Sequence, residues 1–265
     1  MRAGFVVTAV LLSAGPLLAQ EDALKRLESS PRHQEWVQVK SGERTVHAFV
    51  VFPEVKDKAP AVIVIHENRG LTDWVRTVAD RLAEAGAIAI APDLLSGAGP
   101  EGGRTKDFAS QDAAREAIGK LPPEQVTADL NAVADYALKI PAANGKLAVA
   151  GFCWGGGQTF RFATNRADLK GAFVFYGTSP SDKEAYARIK APVFGFYGGN
   201  DERVNATIAP AEEAMKALGK KYEPVKYEGA GHGFMRAGEE KDATEANRKA
   251  RDEAWARWKD LLKGL

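Results

Sequence analysis

The stretch GFCWGGG (151–157) carries the only cysteine of the 265-residue chain, Cys153, set among glycines. KLAVA (146–150) before it is a short run of small and branched apolar residues that reads as a strand. QTFRFATN (158–165) after it reads as a helix. Strand, glycine-flanked sharp turn and helix describe a nucleophile elbow with sulfur in place of the usual hydroxyl. The other reading of a free cysteine is a small buried hydrophobe, and the loops elsewhere in the chain decide between the two.

Outward from the elbow, apolar runs and helical patterns alternate. Upstream, EWVQVK (35–40) and RTVHAFVVF (44–52) read as two strands joined at Ser41-Gly42. KAPAVIVIH (58–66) and AIAIAPD (87–93) are continuous apolar runs, the mark of strands buried on both faces. LTDWVRTVADRLAEAG (71–86) between them has apolar residues at helical spacing and a glycine stop. A glycine-rich loop (96–105) precedes helical stretches over 107–119 and 124–139. Downstream, GAFVFYG (171–177), APVFGFYG (191–198) and YEPVKYEG (222–229) read as strands. TIAPAEEAMKALGK (207–220) and a long tail from about 241 to 263 read as helices. This alternation predicts a single α/β domain, a mostly parallel sheet with helices on both faces. In such sheets, reactive groups collect in loops at the carboxyl ends of the strands.

Three of those loops carry the residue types of a nucleophile triad. Cys153 follows KLAVA, Asp201 lies in GGNDERV after APVFGFYG, and His232 lies in GAGHGF after YEPVKYEG. Taken singly, the aspartate is a turn former and the histidine a loop residue. Together they stand in the order nucleophile, acid, base, which is the α/β-hydrolase order. The chemistry needs all three. A free thiol is only a few per cent thiolate at neutral pH, so an imidazole must take its proton. A carboxylate must fix that imidazole's tautomer and stabilise the imidazolium. The glycines permit the strained backbone, and the backbone N–H of Trp154 then faces the developing oxyanion.

Composition narrows the rest. The chain is 45% hydrophobic with a net charge of +1 and no basic stripe, so it lacks the electrostatic footprint of a nucleic-acid binder. No histidine pair has ligand spacing, so no metal or other cofactor is expected. No second cysteine could resolve a disulfide, which counts against redox chemistry. Arg2 followed by the uncharged FVVTAVLLSAGPLLA (5–19) has the pattern of a secretory signal peptide cut near Ala19. The run is shorter than the roughly 20 residues a spanning helix needs, and Gly15-Pro16 interrupts it, which argues against a membrane anchor. The expectation is a leader over 1–19 and one domain over 20–265. The mature protein would be an exported monomer, periplasmic or extracellular, with no membrane contact after cleavage.

HENRG (66–70), APDLL (91–95), GFCWGGG (151–157), GGNDERV (198–204) and GHGFMR (231–236) together resemble the dienelactone hydrolases (carboxymethylenebutenolidases), a family of the α/β-hydrolase superfamily. The likeness runs from about 35 to 260. It implies that Cys153, Asp201 and His232 form the triad of a hydrolase that cleaves small esters or lactones through a thioester. It also implies that Glu67 interacts with the cysteine and helps to form the thiolate when substrate binds, and that the Asn68 N–H is the second oxyanion donor. A solvated loop charge is the other reading of Glu67; His66, His33 and His47 read as structural. The family's dienelactone-cleaving members hold the substrate carboxylate with two arginines. Arg236 matches one, but Gly97 stands where the other is expected, and Arg69 or Arg104 are the candidates to replace it. Two alternatives stay open: a thioesterase or xenobiotic esterase with an altered pocket, and a non-catalytic binding protein on the same fold.

Overall fold

The computed structural model describes residues 15–265. The expected leader (1–19) lies outside the described residues as far as position 14, and positions 15–19 fall within the first helix, α1 (Gly15–Glu28). Eight strands form one sheet in the order β1-β2-β4-β3-β5-β6-β7-β8. They are β1 (Gln34–Ser41), β2 (Arg44–Val51), β3 (Ala59–Ile65), β4 (Ile88–Asp93), β5 (Ala143–Phe152), β6 (Leu169–Phe175), β7 (Val193–Gly198) and β8 (Tyr222–Tyr227). β2 runs antiparallel to both its neighbours, and β3 to β8 are mutually parallel. This is the expected α/β-hydrolase architecture.

Period-two alternation divides each inner strand between two apolar layers. Ala61, Ile63 and Ile65 of β3 and Leu147 and Val149 of β5 face α4 (Pro123–Lys139), α5 (Trp154–Ala163) and α7 (Ile208–Ala217). Val62 and Val64, with Ala148, Ala150 and Phe152, face α2 (Asp73–Glu84) and α9 (Glu245–Leu262). Both faces are covered, so β3 and β4 show no polar alternation in sequence. The edge strands differ: β1 alternates in burial, and β8 carries Pro224, which an edge tolerates because the ring has no N–H to donate.

The remaining helices are short: α3 (Gln111–Gly119), α6 (Glu202–Asn205) and α8 (Phe234–Ala237). The helix expected over 107–119 starts only at Gln111, where the Ser110 side chain accepts from the Ala113 N–H. The expected tail helix from about 241 starts at Glu245, where Thr244 accepts from the Asn247 N–H, 3.2 Å away, and the short α8, not expected, holds the segment after His232.

Beneath the carboxyl ends of the central strands, Phe152, Phe175 and Phe196 stack across β5, β6 and β7 with ring centroids 4.7 and 4.2 Å apart. Trp258 of α9, fully buried, closes on Phe175 at 4.7 Å. Such pairs each contribute about 0.5–1.5 kcal/mol beyond their area burial. This ladder ends one residue before Cys153 and one before Tyr176, so it fixes the height at which both side chains emerge. At the N-terminal side, Leu27 of α1 enters the same apolar layer. Arg32 then closes a two-pronged ion pair on buried Asp80 of α2, at 2.9 and 2.7 Å.

Candidate active site

Cys153 takes φ 55° and ψ −116°, a conformation that side chains seldom adopt, at the junction of β5 and α5. Its own N–H is held by the Phe175 carbonyl at 3.0 Å. The neighbouring glycines make the turn physically possible. A Cβ on Gly151 would lie 2.2 Å from the Gly155 carbonyl oxygen, one on Gly155 2.3 Å from the His66 oxygen, and one on Gly156 2.5 Å from the Phe175 oxygen. Backbone meets backbone at all three, so no side chain can yield. The elbow is therefore wedged between the ends of β3 and β6 by glycines alone.

Asp201 and His232 arrive from the loops after β7 and β8. Asp201 is buried; its Oδ2 lies 2.5 Å from His232 Nδ1, and its Oδ1 accepts from the Val204 N–H at the start of α6. The carboxylate thus holds Nδ1 as a donor and leaves Nε2 for the sulfur side. The Cys153 sulfur raises the His232 pKa most, partial burial opposes it, and Asp201 adds to the rise; the imidazole is pushed up to about 9. All three expected triad residues are therefore brought together.

Glu67 does not behave as a solvated charge. It is buried, and its Oε2 accepts from Arg236 Nε at 3.1 Å while its Oε1 accepts from the Tyr176 hydroxyl at 3.4 Å. The role expected of it at the cysteine belongs to substrate binding; here Glu67 is engaged by Arg236. That arginine also donates to Glu240 at 2.8 Å. Burial pulls the Arg236 guanidinium down, but Glu67, Tyr176 and Glu240 outweigh it. Arg69 lies beside this group; burial and then Arg236 lower its pKa, and Glu67 opposes both. Arg104 is elsewhere. Its guanidinium stacks 3.9 Å over the Trp36 ring, so it is not a second clamp. Near Gly97 the closest cation is Arg44, which is tied to the Ser96 carbonyl and to Asp129.

The two expected oxyanion donors sit on facing loops. Neither the Asn68 N–H nor the Trp154 N–H has an acceptor among the described residues. His66, fully buried, couples the loops. Its Nδ1–H donates to the Glu67 carbonyl at 2.8 Å, its Nε2 accepts from the Leu94 N–H at 3.3 Å, and its ring stacks on Trp154 at 5.4 Å. Burial lowers its pKa and keeps it neutral, which suits one donor and one acceptor nitrogen. Thr105 braces the same loop: it accepts from the Leu71 N–H and donates to Asp93.

One residue of the candidate site escaped the sequence reading. Tyr176, at the end of β6, is fully buried with φ 39°. It sets its hydroxyl on Glu67 and its ring edge-on to His232 at 5.2 Å. Burial, then Glu67, hold its pKa well above the usual tyrosine value, so it stays a donor. A cleft of about 630 Å³ opens from Cys153, with Asn68, Trp154 and Tyr176 at its head. A separate hollow of about 450 Å³ between β1 and α4, beside Lys40 and Tyr136, is lined by no cysteine or histidine. Among the described residues no acid and histidine cluster could hold a metal ion.

Residues 46–265 match the model of the dienelactone hydrolase family. A protein of Methylorubrum extorquens, provisionally named a carboxymethylenebutenolidase, is 32% identical over 209 residues, covering 75% of this chain and 71% of its own. A Salmonella typhimurium protein of the same provisional name is 34% identical over 199 residues, covering 71% and 72%. The solved structure of a provisionally named dienelactone hydrolase from Klebsiella pneumoniae superposes with a TM-score of 0.77 at 25% identity, covering 88% of this chain and 99% of that one.

Proposed function

The chain belongs to the dienelactone hydrolase family, and on that premise we propose that it cleaves small esters or lactones with Cys153 as the nucleophile. The observation that carries this reading is the continuous line from buried Asp201 through His232 to a cysteine in a strained elbow. With the proton already held on His232, Sγ attacks the carbonyl carbon. The N–H groups of Asn68 and Trp154 receive the oxyanion, each such donor contributing about 2.7–4 kcal/mol to the transition state. As the tetrahedral intermediate collapses, the C–O bond breaks and His232 returns the proton to the leaving alkoxide. A thioester remains. The sulfur has then lost its charge, and with it the largest influence holding the His232 pKa up. The imidazole is freed to act as base toward water, whose attack releases the acid and restores the thiol.

In this reading Glu67 and Arg236 form a latch beside the nucleophile. A substrate carboxylate that bound Arg236, with Arg69 next to it, would compete with Glu67 and release its carboxylate toward the thiol. We read residues 1–19 as an export leader and the mature domain as a periplasmic or extracellular monomer. Among the described residues no helix is long and apolar enough to cross a membrane. The test is hydrolysis of a panel of lactones and short-chain esters by the purified protein beside Cys153→Ala. Turnover that disappears in the variant supports the proposal; equal turnover in both ends it.

A further inference from the structure

The cleft that opens at Cys153 has a one-sided construction. Its floor is a single face of α5: Trp154, Gly157, Gln158 and Arg161 line it at helical spacing. Its lining also includes Arg161, Arg188 and Arg203, with Asp182 as the one carboxylate. Arg161 donates only to neutral acceptors, the Pro123 carbonyl and the Thr127 hydroxyl, and Arg188 only to the Thr164 carbonyl. Both keep N–H groups to spare, since a guanidinium has five. This differs from Arg236, whose charge is already divided between Glu67 and Glu240. Two further polar atoms of the cleft walls, Gln158 Oε1 and Ser179 Oγ, are buried without a hydrogen-bond partner. The floor is open for a reason that packing does not supply. A Cβ on Gly157 would meet only ordinary contacts, 3.5 Å from Thr178 Oγ1, unlike those on the elbow glycines before it.

We propose that this cleft is an acyl-arm subsite that reads a distal carboxylate through Arg161, Arg188 and Arg203. The inference rests on the acyl-transfer reading of Cys153. Arg161 stands eight residues beyond the nucleophile, roughly 12 Å along a helix of 1.5 Å rise per residue. Its side chain leans back toward the helix start and shortens that gap only in part, so the arm must still be long: the half-ester of a medium-chain dicarboxylic acid reaches, and a glutaryl group falls short. Arg188 and Arg203 are exposed to solvent, so the charge preference falls as salt shortens the Debye length.

The test uses 4-nitrophenyl hydrogen suberate and its methyl-capped counterpart, with the two glutaryl analogues as short-arm references. The free suberyl carboxylate should raise kcat/KM about tenfold over its neutral partner, the scale of one charge-assisted hydrogen bond. The gain should lie in KM, shrink at high ionic strength and be smaller in the glutaryl pair. Arg188→Gln and Arg203→Gln should each reduce the suberyl ratio. Asp182→Asn should increase it, an outcome that damaged folding cannot imitate. Equal kcat/KM for the suberyl pair, or a preference indifferent to all three substitutions, would overturn the subsite. If Cys153→Ala still cleaves these esters, the nucleophile reading fails. If that variant is inactive and the pair is not discriminated, only the subsite fails.

Discussion

Replacing Asp201 with asparagine changes one atom at the point where the proposed catalytic line is anchored. Asp201 has two duties, and the variant keeps one of them. Its Oδ1 accepts from the Val204 N–H at 3.4 Å, which an amide oxygen can also do, so α6 should still start there. Its Oδ2 accepts from His232 Nδ1 at 2.5 Å. An amide nitrogen at that place is a donor, so Nδ1 must become the acceptor and Nε2 the protonated nitrogen. The imidazole then presents a hydrogen to the sulfur and cannot take one. In a serine triad the equivalent change costs about 10⁴ in kcat. A thiol is far more acidic than a hydroxyl, which softens the dependence on the base. About 10³–10⁴-fold in kcat is therefore expected, or roughly 4–5.5 kcal/mol at 1.36 kcal/mol per decade. Initial rates over a range of ester concentrations give kcat and KM separately, and urea denaturation checks that the fold is retained. A loss below tenfold, or one confined to KM, would refute the assignment of Asp201 as the orienting acid.

Three further outcomes follow from the same geometry. Asp80→Ala strands Arg32 beside α2, and since the pair is only 1% and 11% exposed, unfolding free energy should fall by about 3–5 kcal/mol; a change below 1 kcal/mol in urea melts would contradict the role given to this link. Gly156→Ala forces a methyl to 2.5 Å from the Phe175 carbonyl oxygen and should destabilise by about 1–3 kcal/mol or more. Gly157→Ala meets no such contact and should gain up to about 1 kcal/mol from helix propensity; equal melting shifts for the two would contradict the wedge. The His232 pKa is raised from its unfolded value near 6.5 to about 9. The protonated ring therefore stabilises the fold fully below about pH 6.5, and that stability is lost as pH rises through about 9. The stability difference between wild type and His232→Gln should shrink from pH 6 to pH 10, and a flat difference would contradict the ion-pairing assigned to this imidazole.

The strands and the candidate triad were legible because their causes are local. A buried parallel strand must be continuously apolar, and an elbow wedged against two other backbones must be glycine, so GFCWGGG announces itself. Asp201 and His232 could be placed because each follows its strand directly. What escaped the sequence depends on distant partners. Glu67 meets Arg236, 169 positions away in sequence. Nothing in HENRG says that its carboxylate turns to an arginine instead of the thiol. Tyr176 reads in GAFVFYG as one more core aromatic; neither its positive φ nor its bond to Glu67 leaves a mark on composition. Arg104 was a reasonable clamp by position in the chain, yet Trp36 on β1 captures it. The start of α9 is the reverse case. Its Thr244 cap was readable, but the charged run EEKD (239–242) before it made the helix read as starting near 241.

The central claim is that the chain's single thiol performs the chemistry, and that can be tested without any substitution. Because Cys153 is the only cysteine, iodoacetamide taken to one adduct per chain, as counted by intact mass, modifies that residue alone. Ester hydrolysis should decline in proportion to the adduct and vanish when labelling is complete, and saturating substrate should slow both together. Full activity in completely alkylated protein would show that another group is the nucleophile.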